Sequence, residues 1–218
     1  MDVTLAGFVL FLHIAVVIVA FMIAGVLHTA LHVLPRARSV AEMRPWAAVT
    51  HRLEPVLPIL AVGILALGAW LVQLEHDDGV RWSDGWVLTP LFTLILVEGL
   101  AGAVLAPRTK VLCDRVAEAP DGAVPDDLRR LTLNPWVWDI AHLATFGFLA
   151  VVFIMSAKPA GSVAWLFALA GGLLGIVASR VQLRAATAAA EAAMTAAAAL
   201  PPQRDGAEAV TWRDAELS

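Results

Sequence analysis

Read for apolar and polar positions, the chain is five long apolar runs separated by short charged stretches. The runs extend from about Leu5 to Leu34, Trp46 to Leu74, Trp86 to Ala106, Pro135 to Ala157 and Ser162 to Leu183. Each has the roughly 20 mostly apolar residues that a helix needs to cross the hydrocarbon core. None alternates with period two, as a membrane-barrel strand does, and backbone groups in lipid must find partners within the fold. The pattern therefore predicts an all-α polytopic membrane protein with five transmembrane helices.

The polar stretches give the expected orientation. Arg36, Arg38 and Arg44 follow the first run, and Arg108, Lys110, Arg115, Arg129 and Arg130 follow the third. Arg180 and Arg184 follow the fifth, whereas the two opposite loops carry only Arg81 and Lys158. Cationic loops stay in the cytoplasm, so the N-terminus is expected outside and the C-terminus inside. Trp46, Trp82, Trp86, Trp136, Trp138 and Trp165 stand near run ends, where an aromatic belt is expected. The first run has no cationic segment before it and no small-residue cleavage site after it, so it is expected to be retained as a span. The stretch from Pro107 to Asn134 reads as a short soluble excursion with a helical turn or more. Residues 1–183 form the expected membrane domain. Residues 184–200, rich in alanine, extend the fifth helix into the cytoplasm. Residues 201–218, after Pro201-Pro202, read as a flexible cytoplasmic tail able to dock on a partner.

Composition agrees with this outline. Hydrophobic residues make up 60% of the 218 and charged residues only 16%, with a mean hydropathy of +0.77. The net charge of -4 and the lack of a basic stripe exclude nucleic acid as a partner. Few lysines and many arginines and alanines suggest a bacterial source, so the expected location is the cell membrane, multi-pass. Cys113, alone of its kind, has no partner for a disulfide and reads as a bystander.

Ionisable side chains inside the runs carry the candidate chemistry, because such groups are costly in lipid and face the bundle interior or a cavity. They are His13, His28 and His32 in the first run, His51 and Glu54 in the second, Glu98 in the third, and Asp139 and His142 in the fourth. At 1.5 Å per residue, His28 and His51 lie roughly 8–9 Å from the inner ends of their spans. Glu54 and Glu98 lie about 12 Å in, Asp139 about 6 Å and His142 about 10 Å. Four helices thus bring imidazoles and carboxylates to one layer. His28 with His32, His51 with Glu54, and Asp139 with His142 have the spacings that share a helix face. Carboxylate–histidine pairs three residues apart, with a further carboxylate, are the donor pattern of carboxylate-bridged two-metal sites in bundles. His28, His51, Glu54, Glu98, Asp139 and His142 are therefore the expected ligands of a mono- or dinuclear site for iron, manganese or zinc. Plainer readings stand beside this one. His32 and Asp139 are close enough to the interface to be simply hydrated, and His142 could be a core histidine bonded to Asp139. Pro55 and Pro58 are expected to loosen the second helix beside Glu54. Gly171 and Gly175 offer a small face for close packing of the fifth.

Phe11-Leu12-His13 in a long first span, an arginine-bearing inner loop and a proline-bearing second span resemble small bacterial proteins related to the copper-resistance-type membrane domain. The resemblance covers the first three spans and implies a helical bundle with metal or haem chemistry, in which only His13 would take part. Four functional readings follow. The leading one is a four-helix metalloprotein bundle with one peripheral helix, acting as an oxidoreductase on a lipid-soluble substrate. The second is a b-type haem electron carrier serving a quinone or a partner complex, with His28 and His142, or His51 and His142, as axial ligands and Gly25 and Gly147 making room for the macrocycle. The third is a proton-coupled transporter built on Glu54 and Glu98. The fourth is an accessory subunit of a homo-oligomer or larger membrane complex.

Overall fold

The computed structural model describes residues 4–198. It is helical throughout, and five of its helical stretches are long and apolar enough to cross a membrane. The first, α1 (Leu5–Val33), begins where the Thr4 hydroxyl accepts the Gly7 N–H. It ends in a 3₁₀ turn, Leu34–Arg36. The second combines α2 (Val40–Leu53) and α3 (Val56–Leu74), broken only at Glu54-Pro55. Pro55 and Pro58 lack the N–H groups that would have continued the ladder, so the break falls where the sequence puts it. The third combines α4 (Gly85–Leu100), a π turn (Ala101–Leu105) and α5 (Ala106–Glu118). The short α6 (Asp126–Thr132) leads into α7 (Pro135–Ala157), whose first turn is capped by Asn134 with Pro135 at the first helical position. The last, α8, runs unbroken over Gly161–Ala198, so the alanine-rich extension continues the span without a joint. The expected tail at 201–218 lies outside the described residues.

The stretches of 32 to 35 residues exceed what a bilayer requires. At 1.5 Å per residue they are about 50 Å long, against a hydrocarbon core of about 30 Å. The surplus collects at the arginine-rich end. There α2, α5 and α6 pack on the end of α1 and bury Met43, Val40, Val116, Leu112 and Leu128. The stretch from Pro107 onward, expected to hold a helical turn or more, is mostly helix, in α5 and α6. Buried Arg129 donates to the Pro35 carbonyl at 3.2 Å. Arg44 pairs with Asp121 and also donates to the Ala119 carbonyl, and Arg115 pairs with Asp127. Gly122, at φ +143, makes the tight turn whose carbonyl receives the Val40 N–H. Two of the expected belt tryptophans belong to interior packing: Trp46 lies against this cap and Trp138 is fully buried.

Within the membrane span the helices form two groups, α1 with α3, and α7 with α4 and α8. Gly171 and Gly175 bring α8 against the α7 backbone, where a Cβ would come within 2.9 Å of the Phe146 oxygen and 2.8 Å of the His142 oxygen. The outer face of α8 stays exposed at Leu166, Leu169, Leu173 and Val177, the surface that lipid covers. The two groups stand apart at the end away from the cap. The resulting apolar cavity of about 1260 Å³ is walled by His13, Val17 and Ile18 of α1, Leu65 and Val72 of α3, Leu91 of α4 and Val152 of α7.

Candidate metal centre

Where α1 and α7 do meet, they meet through aromatic rings. Phe21 packs edge-on to Phe148 with ring centres 6.1 Å apart. Seven residues on, His28 and His32 turn the same face of α1 toward His142 of α7. The three rings contact one another edge to face, with centres 4.6 Å apart for His28–His142, 5.0 Å for His28–His32 and 5.9 Å for His32–His142. One nitrogen from each ring lies within 4.8 Å of the others. Among the described residues, this trio is the one group of histidine, cysteine or acidic side chains close enough to hold a metal ion.

Backbone and side chains fix the trio. His142 is fully buried, and its Nδ1 lies 2.8 Å from the Trp138 carbonyl one turn back. A carbonyl can only accept, so Nδ1 carries the proton and Nε2 presents a lone pair. That Nε2 is buried without a hydrogen-bond partner. A buried imidazole nitrogen normally finds a partner, and this ring packs against two other imidazoles instead. His28 is oriented in the same manner. The Thr145 hydroxyl donates to the Ala141 carbonyl at 2.9 Å, and its oxygen faces His28 Nδ1 at 3.4 Å. Trp138 supports the third ring, meeting His32 edge-on at 5.0 Å while stacking on His142 at 5.7 Å. The Trp138 indole is itself held by donating to the Thr132 carbonyl at 2.9 Å. Nδ1 fixed by an acceptor and Nε2 left free is the usual setting of a metal-bound histidine.

Of the six residues expected to converge, His28 and His142 do so, and His32 joins them. Its spacing of four from His28 was the signal for it, outweighed by its nearness to the interface. The other four lie elsewhere. Asp139 leaves His142 and turns to α8, where it accepts from the Ser179 hydroxyl and the Arg180 guanidinium, both at 2.6 Å. Glu54 stands at the proline break and faces Thr109 on α5. Since α3 alone supplies 19 mostly apolar residues, Glu54 sits at the edge of the span rather than well inside it. His51 is exposed one turn earlier. Glu98 is half-buried on α4, just before the π turn, with no hydrogen-bonding side chain beside it among the described residues. Among the described residues, therefore, no carboxylate reaches the imidazoles to bridge two metals. A porphyrin between His28 and His142 has no slot, because these rings already touch edge to face. The space beside Gly147 on α7 is taken by Val97 of α4, whose Cγ2 would lie 3.4 Å from an added Cβ. His13 lies farther along α1, its ring against Gly68 on the cavity wall.

Compared with known proteins, the chain matches no family model, no curated protein and no solved structure. It is a five-helix membrane protein in which three histidines stand close enough to hold a metal ion.

Proposed function

We propose that the chain is an integral membrane metalloprotein whose His28, His32 and His142 bind one transition-metal dication between α1 and α7. The observation that carries this reading is the His142 Nε2, buried and unpartnered on a ring that packs against two more imidazoles. Three neutral nitrogen donors without thiolate or carboxylate suit zinc, copper, nickel or iron better than manganese or magnesium. A three-histidine set is also the donor set of catalytic rather than structural zinc, since it leaves one position open. The arginines of the cap end support a cytoplasmic position for that end, and the cell membrane is the compartment that such a topology fits.

An oxidoreductase acting on a lipid-soluble substrate draws its support from the apolar cavity, which opens between the two helix groups and ends near Phe21. Phe21 is seven residues from His28, about 10 Å along α1. The resemblance to the copper-resistance-type domain adds little to this site, because it concerns His13, about 22 Å from His28 along the same helix. Metal analysis of protein purified in detergent tests the proposal. At least half an equivalent of one transition metal is expected after loading and desalting, and His142→Ala should lose it. Less than a tenth of an equivalent in folded, loaded wild-type protein refutes the metal reading.

A further inference from the structure

We infer that the metal held by the three histidines takes a small anion as its fourth ligand, drawn in past Arg36; this rests on the metal reading above. The case begins with a charge count. Three neutral imidazoles leave a bound dication with its full charge, since no carboxylate or thiolate lies in the cluster. The nearest acid in sequence, Asp139, is already matched by Arg180 and bonded to Ser179. Glu54 and Glu98 are not among the groups gathered there. An uncompensated charge at this depth costs far more than it would in water. The cheapest compensation is a negative ligand in the position that three donors leave open on a tetrahedral metal.

The surroundings favour the same outcome. Arg36, one turn beyond His32, donates to the His32 carbonyl and so holds its guanidinium beside the cluster. It is exposed, and it adds positive potential on the path from the cap end. His142 is fully buried, whereas His28 and His32 are only half-buried, so a ligand reaches the trio past these two rings rather than past His142. The chemical class is a monovalent anion that donates one lone pair, such as azide, cyanate, bicarbonate or the carboxylate of a substrate. Binding replaces a metal-bound water, with no change in oxidation state.

Cobalt(II) reports this directly, because its visible bands follow the number and kind of its ligands. The protein is loaded with Co2+ in detergent and titrated with sodium azide. A saturable change in the bands, reaching one azide per cobalt, is expected. In Arg36→Gln the cobalt spectrum without azide should be unchanged and azide affinity weakened about tenfold, the size of effect one nearby charge exerts. Bound cobalt whose spectrum ignores azide, cyanate and bicarbonate up to molar-scale excess overturns the inference while leaving the metal site standing. Unaltered azide affinity in Arg36→Gln overturns the part given to Arg36. Folded protein that binds no cobalt overturns the metal reading itself.

Discussion

Replacing Gly175 with alanine should loosen the protein and weaken its metal site, although Gly175 touches no candidate ligand. The added Cβ would lie 2.8 Å from the His142 carbonyl oxygen and 3.1 Å from both its carbon and the Leu143 Cα. Carbon atoms prefer about 3.5–4.0 Å, so the shortfall is roughly half an ångström or more. The atoms in the way are backbone, which cannot swing aside, so α8 must move off α7. Overpacking of this kind costs about 1–3 kcal/mol, from which alanine's better helix propensity returns roughly 1 kcal/mol. A net loss of up to about 2 kcal/mol follows from these two terms. The displaced backbone belongs to His142 itself. Metal affinity should therefore fall by about 10–100-fold, as it does when the support of a ligand is disturbed. Thermal unfolding in detergent reads the first effect, and competition with a chromophoric zinc chelator reads the second. Gly99→Ala is the matched control, since nothing lies within 4 Å of its new Cβ. If Gly175→Ala unfolds and binds zinc as Gly99→Ala does, the close approach of α8 to His142 does not have the role assigned here.

The remaining predictions follow from the same contacts. Thr145→Val removes the oxygen facing His28 Nδ1 and should weaken zinc binding about tenfold with little change in melting temperature; equal affinity would show that His28 needs no such support. Asp139→Asn leaves Arg180 without its counter-charge, but Arg180 is half-exposed, so the expected loss is only about 1–2 kcal/mol in unfolding, with metal content unchanged. Glu98→Gln and Glu54→Gln should retain full metal content by elemental analysis; a metal lost in either would return a carboxylate to the ligand set. Loaded wild-type protein offered haem should show no stoichiometric Soret band, because His28 and His142 stand too close for a macrocycle.

The five spans were legible because hydropathy is a local property, written in consecutive residues. The seat of Gly171 and Gly175 against a neighbouring helix was legible for the same reason. Height along each helix was legible too, since it follows from counting residues at about 1.5 Å each. Rotation was not. Depth says which layer a side chain occupies, whereas convergence depends on which way each helix face turns, and that is set by packing between helices. Asp139 shows the difference. It shares a turn with His142, yet Arg180 and Ser179 on α8 claim it, and α8 seemed to hold nothing for the polar layer. His32 shows the converse, a residue near the interface that a buried tryptophan on another helix draws inward. The cap was hidden for a further reason. The sequences of α2 and α5 look polar because only one face of each is buried, and their partners lie some 70 residues apart in the chain.

That cap has a consequence for how the protein is made. Its inward residues come from two separated stretches, Ala30 to Ala47 and Leu112 to Leu128. A ribosome delivers the first stretch well before the second, at about 5–20 residues per second. Until the third helix has entered the bilayer and its trailing end has emerged, Met43 and Val40 have nothing to close upon. The first two helices must therefore wait, for several seconds at that rate, as an unfinished hairpin with a bare apolar edge at the membrane surface. During that interval the nascent chain depends on the insertion machinery or a chaperone to shield it. The last two helices emerge only after both stretches of the cap have been made.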